Sequence, residues 1–424
     1  MIWVMALLPV TLLVLGFPIF LVLLTTAVVA ILGFADMPLA TVPQLMYGSL
    51  DKFVLIAVPF FIFAGELMGR GGISKRIVDW VLSIFGAFRG SLALTTVGTC
   101  EFFGSMSGSG VATLAAVGRL LYPALRERGY DERFAVGLVT SSGAIAVVIP
   151  PSLGMILYGA TAEQSVSRLF IAGILPGLLI GGLVAIYIMI YARAKGIREG
   201  GRFEWNTFAQ ATLGAAWALG TPLIILGGIY VGVFSPTEAA GVAGLYAIIV
   251  TRYVYREISW LGVWQSAVHA VYLTAQIMLI VGAAGVFSWL LTVSGLSQTL
   301  VGFFRGLDAE PWVVLAIINL FLLVVGCLID PSSAILMFTP LLVPIASAAG
   351  VDLVHFGIIM TVNLSIGLFT PPFGLNIFVS QALFRVPLSA IYPGLVPFIV
   401  VQVIALIVIT YVPELSLYMT RTID

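Results

Sequence analysis

The sequence predicts an all-α, polytopic membrane protein built as an inverted repeat, with about eleven transmembrane segments and two re-entrant helical hairpins. Three observations carry this. Of 424 residues, 61% are hydrophobic and 9% charged, more apolar surface than a soluble fold can hide. Residues 109–157 align without a gap on residues 330–378, pairing Leu120 with Leu341, Leu121 with Leu342, Pro123 with Pro344, Gly129 with Gly350, Asp131 with Asp352, Thr140 with Thr361 and Pro150-Pro151 with Pro371-Pro372. The arginines of the first copy have no counterpart in the second.

Apolar runs of about 18 residues or more are long enough to cross a bilayer. The clearest lie at 2–33, 53–69, 88–103, 133–163, 168–192, 212–234, 236–251, 269–293, 311–328, 353–384 and 388–412. The first is too long for the apolar part of a signal peptide and lacks a basic start, so it reads as retained. Amphipathic pieces at 73–87 and 296–307 read as arms lying along the membrane surface.

Two weaker echoes extend the repeat: Leu15-Gly16-Phe17-Pro18 with Leu219-Gly220-Thr221-Pro222, and Gly72-Ile73-Ser74 with Gly295-Leu296-Ser297. The halves join near 195–210. Arg119, Arg126, Arg128 and Arg133 of the first copy align with Pro340, Ser347, Ala349 and Val354. Since short cytoplasmic loops are rich in Lys and Arg, the first copy opens to the cytoplasm and the second to the outside. Arg193, Lys195, Arg198 and Arg202 place the central linker inside, as Arg252 and Arg256 do for the loop after 251. Inversion requires an odd number of crossings between the copies, whereas six runs lie between them. Joining the two runs that flank each arm into a single crossing restores the parity.

Residues 104–127 begin Gly-Ser-Met-Ser-Gly-Ser-Gly, too broken for a straight spanning helix, and read as a re-entrant hairpin. Its partner is 326–350, which opens Gly-Cys-Leu-Ile-Asp-Pro-Ser-Ser and is broken again at Pro340 and Pro344. A helix interrupted by a proline pair follows each hairpin. Proline donates no hydrogen bond to the carbonyl four residues earlier, so the pairs free the carbonyls of Ala146, Val147, Gly367 and Leu368. Ser141, Ser142, Thr361, Asn363, Ser365 and Thr370 lie nearby. Such oxygen sets suit a hard cation such as sodium, and the opposing half-helix N-termini suit an anion. One sodium site per repeat with an anionic substrate between them follows as the expectation. Asp330 reads either as a functional buried carboxylate or as a helix cap. Glu66, Glu101, Glu163 and Glu238 read as helix-end or paired carboxylates.

Enzymatic chemistry finds little support. Cys100 and Cys327 stand in apolar runs without metal-ligand neighbours, and His269 and His355 are isolated. An intramembrane enzyme or respiratory subunit would need a metal, nucleophile or quinone constellation. No cofactor, metal other than sodium, or nucleic-acid partner is expected.

The run Phe-Phe-Gly-Ser-Met-Ser-Gly-Ser-Gly-Val-Ala-Thr (102–113), then Ser-Ser-Gly (141–143) leading to Ile-Pro-Pro-Ser (149–152), resembles the large membrane subunit of tripartite ATP-independent periplasmic (TRAP) transporters. So do Gly-Val-Phe-Ser-Pro-Thr-Glu-Ala-Ala (232–240) and Asn-Leu-Ser-Ile-Gly-Leu-Phe-Thr-Pro-Pro-Phe-Gly-Leu-Asn (363–376). The resemblance covers essentially the whole chain. It implies an elevator-type, sodium-driven importer in the bacterial inner membrane, fed by a periplasmic substrate-binding protein. It also implies a small four-helix membrane subunit, expected here as a separate chain.

Carried onto this sequence, the resemblance implies a first sodium site at Ser105, Ser107 and Ser109 with carbonyls near Ala146, Ile149 and Pro151. The second would use Gly326, Gly367, Thr370 and Phe373, largely through backbone, with Asp330 beside it. The organic acid would bind near Ser107, Thr361, Asn363 and Asn376. Dicarboxylates, sialic acids and sugar acids fit the expected pocket, and the binding protein would supply much of the selectivity. The expected division is scaffold helices and the first arm over 1–100, a first transport half over 101–163, scaffold, linker and second arm over 164–310, a second transport half over 311–384, and a C-terminal helix over 385–424. The rival reading is a sodium- or proton-coupled carboxylate transporter that works without partners.

Overall fold

The computed structural model describes residues 1–34, 38–197, 200–306 and 310–421, and every regular element among them is helical. The chain starts with α1 (Ile2–Val14), α2 (Ile19–Phe34), α3 (Thr41–Leu50), α4 (Ala57–Arg70) and α5 (Ile73–Phe85). The first apolar run is thus two helices, because Gly16 adopts a left-handed conformation (φ +81°) and Pro18 follows. Along α5, Ile73, Ile77, Val78 and Val81 are buried while Lys75 and Asp79 are exposed, as an arm at an interface requires.

The first repeat contains α6 (Ser91–Ser107), α7 (Gly110–Glu127), α8 (Glu132–Ile145) and α9 (Leu153–Ala162). After α10 (Val166–Ala194) come α11 (Trp205–Tyr230), α12 (Pro236–Ile248), α13 (Trp260–Val293) and the second arm, α14 (Leu296–Gly306). Residue 307 of the expected arm lies outside the described residues. Ser235 and Glu238 form a reciprocal capping box ahead of Pro236, which explains why Ser-Pro-Thr-Glu starts α12. The second repeat is α15 (Pro311–Gly326), α16 (Pro331–Ala348), α17 (Leu353–Gly367) and α18 (Leu375–Phe384), followed by α19 (Leu388–Tyr411) and α20 (Glu414–Arg421).

Both hairpins are longer than the Gly/Ser and Asp-Pro signals indicated. Hairpin 1 is α6 plus α7 and hairpin 2 is α15 plus α16, each leaning on the broken helix that follows. The runs at 88–103 and 311–328 are therefore first arms of hairpins, and the expected boundary at 100/101 falls inside α6. Removing 311–328 from the six runs leaves an odd number between the hairpins. Assigning 311–328 to the hairpin thus restores the parity without fusing runs across the arms.

The repeated residues have local reasons. Gly129 and Gly350 take left-handed φ of +82° and +75°, and Asp131 and Asp352 then cap α8 and α17. Gly72 and Gly295 turn the chain into the two arms at φ +69° and +68°.

The two broken helices run antiparallel. Tyr158 near the end of α9 donates its hydroxyl to the carbonyl of Leu353 at the start of α17 at 2.6 Å. In the opposite direction, Thr140 of α8 meets Ser380 of α18 at 2.6 Å, and Phe384 at the end of α18 stacks on Tyr122 of hairpin 1. One end of the molecule also gathers basic loops: Arg76 pairs with Glu257 at 2.6 Å, and Gly201 donates to the Gly86 carbonyl at 3.1 Å. Arg198 lies outside the described residues.

Helix packing separates two groups. The helices α1–α4 and α11–α13 pack mainly on one another, α5 is shared between α11 and α6, and α14 rests mainly on α16, while α10 and α19 pack on the hairpins and broken helices. The α8–α19 contact is closest where Gly137 meets the backbone of Gly394, which leaves no room for a side chain. The expected boundaries at 163/164 and 384/385 therefore separate helices that are packed together.

Antiparallel copies give a labelling test. In a chain with Cys100 and Cys327 replaced by serine, Glu127→Cys should react with an impermeant maleimide only from the cytoplasmic side. Ala348→Cys, its partner in the repeat, should react only from the periplasmic side.

Candidate functional site

Hairpin tips sit directly on helix breaks. In the first repeat, a Cβ on Gly104 would lie 2.6 Å from the Ala146 Cα, and one on Gly108 would lie 2.9 Å from the Pro151 carbonyl oxygen. In the second, a Cβ on Gly326 would lie 3.2 Å from the Gly367 Cα. Ala146 and Gly367 are equivalent positions in the repeat, so both copies use the same close approach. Gly104 and Gly367 leave no room for a side chain there, whereas Gly326 leaves a tight but larger gap.

Between the tips lies a cavity of about 120 Å³, lined by residues of both repeats. Gly108, Ser109 and Gly110 come from hairpin 1, and Asp330, Pro331 and Ser332 from hairpin 2. Val147, Leu153 and Gly154 of the first break and Leu368 and Leu375 of the second complete the wall. Four helices, α7, α9, α16 and α18, begin at this cavity, while α6, α8, α15 and α17 end beside it. Helix starts present backbone N–H groups and partial positive charge, and helix ends present carbonyls and partial negative charge. The lining contains no lysine or arginine.

Caps use part of this capacity. Ser109 accepts from the Ala112 amide at 3.4 Å, Ser152 from Met155 at 3.4 Å, and Asp330 from the Ser333 amide at 3.1 Å and its hydroxyl at 2.5 Å. α18 has no side-chain cap. Asp330 is thus a helix cap, half-buried, that also lines the cavity.

The structure brings together most of the expected first site. Ser107 is buried and shares a 2.9 Å hydrogen bond with Thr113, while Ser105 donates to the Phe102 carbonyl at 2.7 Å. Ile149 packs its side chain on Gly177 of α10. The freed carbonyls of Ala146 and Val147 accept no hydrogen bond among the described residues. Those of the second repeat are recaptured: Gly367 accepts from the Thr370 amide at 3.1 Å and Leu368 from Asn376 at 2.9 Å. Thr370 donates its hydroxyl to Ile366 at 2.7 Å, and Phe373 is 57% exposed, which leaves its backbone as the group near the break.

None of the four expected substrate residues lines the cavity wall: Ser107 lies just before it in the chain, and Asn363, Asn376 and Thr361 are engaged elsewhere. Asn363 donates to the carbonyl and side-chain oxygens of Asn319 at 3.1 and 2.8 Å, and Asn319 donates to Thr410 at 3.0 Å. Asn376 donates to the Thr140 carbonyl at 3.2 Å, and Thr361 to the Gly357 carbonyl at 2.8 Å. All three are fully buried and join helices to one another or bond within their own helix. An isolated polar residue in an apolar run signals burial with a partner as readily as a ligand. Conversely, Ser152, Thr113, Ser332 and Gly65 lie around the tips without being among the expected site residues. Ser152 was findable as a cap residue after a proline pair, but the placement of Gly65 against Ser107 has no signal in the sequence.

Of the remaining carboxylates, Glu66 pairs with Arg70 at 2.7 Å and Glu163 caps the end of α9 in a left-handed conformation. Glu101 lies over Gly181 of α10, and its Oε1 is buried without a hydrogen-bond partner. Cys100 is buried, Cys327 donates to the Val324 carbonyl, and His355 meets the Thr410 carbonyl at 3.3 Å.

Residues 4–415 match the family described as tripartite ATP-independent periplasmic transporter, DctM component. The chain belongs to this family. Its similarity to individual members is even: 39% identity to the isethionate TRAP transporter permease protein DctMQ of Oleidesulfovibrio alaskensis, covering 96% of this chain and 64% of that protein. It is 38% identical to the C4-dicarboxylate large permease DctM of Pseudomonas aeruginosa, covering 88% of this chain and 87% of that one. For the ectoine/5-hydroxyectoine large permease UehC of Ruegeria pomeroyi the figures are 37%, 97% and 96%. The crystal structure of the Alcanivorax borkumensis YdaH transporter shares the fold, with a TM-score of 0.64 at 12% identity over 95% of this chain and 98% of that one. As a DctM component, the protein is the large, multi-pass permease subunit of a TRAP transporter in the bacterial inner membrane. Membership implies work alongside a small membrane subunit and a periplasmic binding protein, and the relatives are transporters rather than enzymes.

The paired close approaches yield a graded test. Gly367→Ala drives its methyl group into the Gly326 backbone, whereas Gly326→Ala meets only an adjustable 3.2 Å contact. Gly367→Ala should destabilise by about 1–3 kcal/mol and abolish uptake. Gly326→Ala should keep the melting temperature within a few degrees of the parent, read by thermal unfolding of the purified complex.

Proposed function

We propose that this subunit carries a small organic acid, of the C4-dicarboxylate, sialic acid or sugar-acid class, inward with sodium after delivery by a periplasmic binding protein. The observation that carries this reading is the convergence of four helix starts and four helix ends around one cavity. The starts favour carboxylate oxygens and the ends favour sodium. With no lysine or arginine in the wall and Asp330 present, a carboxylate entering alone would meet a like charge. Bound sodium offsets that charge and lowers the cost of taking the acid through a low-dielectric region.

In this mechanism, one sodium lies between the Ser105–Ser109 tip and the open carbonyls of Ala146 and Val147. The other lies between Gly326 and the Gly367–Phe373 segment, where Thr370 supplies oxygen. Sodium orders both tips, and the acid then binds between them beside Ser109 and Ser332. The hairpins and broken helices slide as one body with α10 and α19, while α1–α5 and α11–α14, joined by a four-helix small subunit, hold position. Sodium is the only cation required, and no resident cofactor takes part.

Uptake by proteoliposomes containing the small subunit and binding protein should require an inward sodium gradient, and equal uptake with potassium alone overturns the coupling. Thr370→Val should raise the half-saturating sodium concentration about five-fold, the effect of losing one polar contact. Asp330→Ala should act similarly, and Asp330→Asn, which retains a cap, separates charge from helix capping.

A further inference from the structure

The basic end of the molecule holds a second, larger hollow, of about 470 Å³, between α4, the start of α5 and the second arm of hairpin 1. The hairpin wall combines Ala112, Ala115 and Ala116, small residues that leave room for a solute, with Phe103 and Leu120, and it leads to Arg119. At the tip of the hairpin, α4 touches the loop: a Cβ on Gly65 would lie 2.9 Å from the Ser107 Cα. The hollow thus follows the hairpin from beside its tip to the basic exit.

Its charges are not balanced. Glu66, Glu257, Arg70, Lys75 and Arg119 all line it. Glu66 is held by Arg70 at 2.7 Å, and Glu257 by Arg76 at 2.6 Å, with Arg76 also over the Tyr255 ring at 3.8 Å. Lys75 and Arg119 have no carboxylate partner among the described residues, so the two uncompensated charges facing the hollow are both positive. A cleft with apolar walls concentrates the field of such charges.

We propose that this hollow is a second oxyanion station, in which Lys75 and Arg119 hold a carboxylate of the acid after it leaves the central cavity. The inference rests on reading the cargo as an organic acid. Both cations are exposed, so water and salt screen them and hold the anion weakly, as a site on a release path requires. A lipid phosphate presents the same chemistry, and the experiment separates the two.

The test uses the complete complex carrying Ala115→Cys, with Cys100 and Cys327 replaced by serine. Labelling rates are compared for a negatively charged and a positively charged methanethiosulfonate, with succinate as the probe anion. Lys75→Gln with Arg119→Gln should lower the negative-to-positive rate ratio roughly five- to ten-fold at low salt, and high salt should abolish that difference. Millimolar succinate should protect the cysteine in the parent and not in the double variant, while Lys75→Arg with Arg119→Lys retains protection. An unchanged ratio or absent protection overturns the station. Protection by phosphatidylglycerol in place of succinate makes the occupant a lipid and overturns the cargo assignment. Protection by succinate in a complex that shows no sodium-driven uptake leaves the station standing while the transport reading falls.

Discussion

Eight helix ends meet near one level of this protein, and the need to satisfy their backbone groups without bulk water shapes the rest of the fold. Each unsatisfied amide or carbonyl in hydrocarbon costs several kcal/mol. The chain meets this demand in three ways. Ser109, Ser152 and Asp330 cap helix starts, and the Thr370 and Asn376 amides recapture the second pair of freed carbonyls. Hairpin tips press against helix breaks through Gly104, Gly108, Gly326 and Gly367, which excludes lipid. What these devices leave unused is the capacity on which the proposed binding of ions of both signs rests.

That division of charge also explains the lack of basic side chains at the centre. A lysine there would bind an acid tightly in every state, whereas partial charges at helix starts contribute less and depend on the tips being in place. Asp330 works in the same sense. Its carboxylate stabilises α16, and in the proposed mechanism it disfavours an unaccompanied anion and so couples cation and acid through one side chain.

The sequence disclosed the repeat, the breaks and the tips because each has a chemical signature. Pro-Pro removes helical donors, Gly-x-Asp makes a turn and a cap, and Gly-Ser runs cannot cross lipid as a straight helix. It concealed the first arms of the hairpins, since 88–103 and 311–328 are as apolar as any spanning helix and hydropathy does not register where a chain turns back. The packing of α10 and α19 on the broken helices was equally hidden, because it depends on surfaces such as Gly137 against Gly394 that are far apart in sequence. The partners of Asn363 and Asn376 are hidden from the sequence for a related reason. These partners, Asn319 and the Thr140 carbonyl, come from other helices, and a polar residue whose partner is distant looks like a ligand.

The two repeats are alike in outline and unlike in the state of their oxygens, and this difference gives the proposed sodium sites different characters. Around Ala146 and Val147 the carbonyls accept no protein donor, so a cation binds there without breaking a hydrogen bond. Around Gly367 and Leu368 the same oxygens already hold amide protons, so a cation must share a lone pair or displace a donor. Displacing the Asn376 amide loosens the first turn of α18, and that turn forms part of the cavity wall at Leu375. On this reading the first site is the pre-formed one and the second is the responsive one. Occupation of the second is then the event that alters the cavity, which ties loading of the acid to the hairpin that opens toward the binding protein.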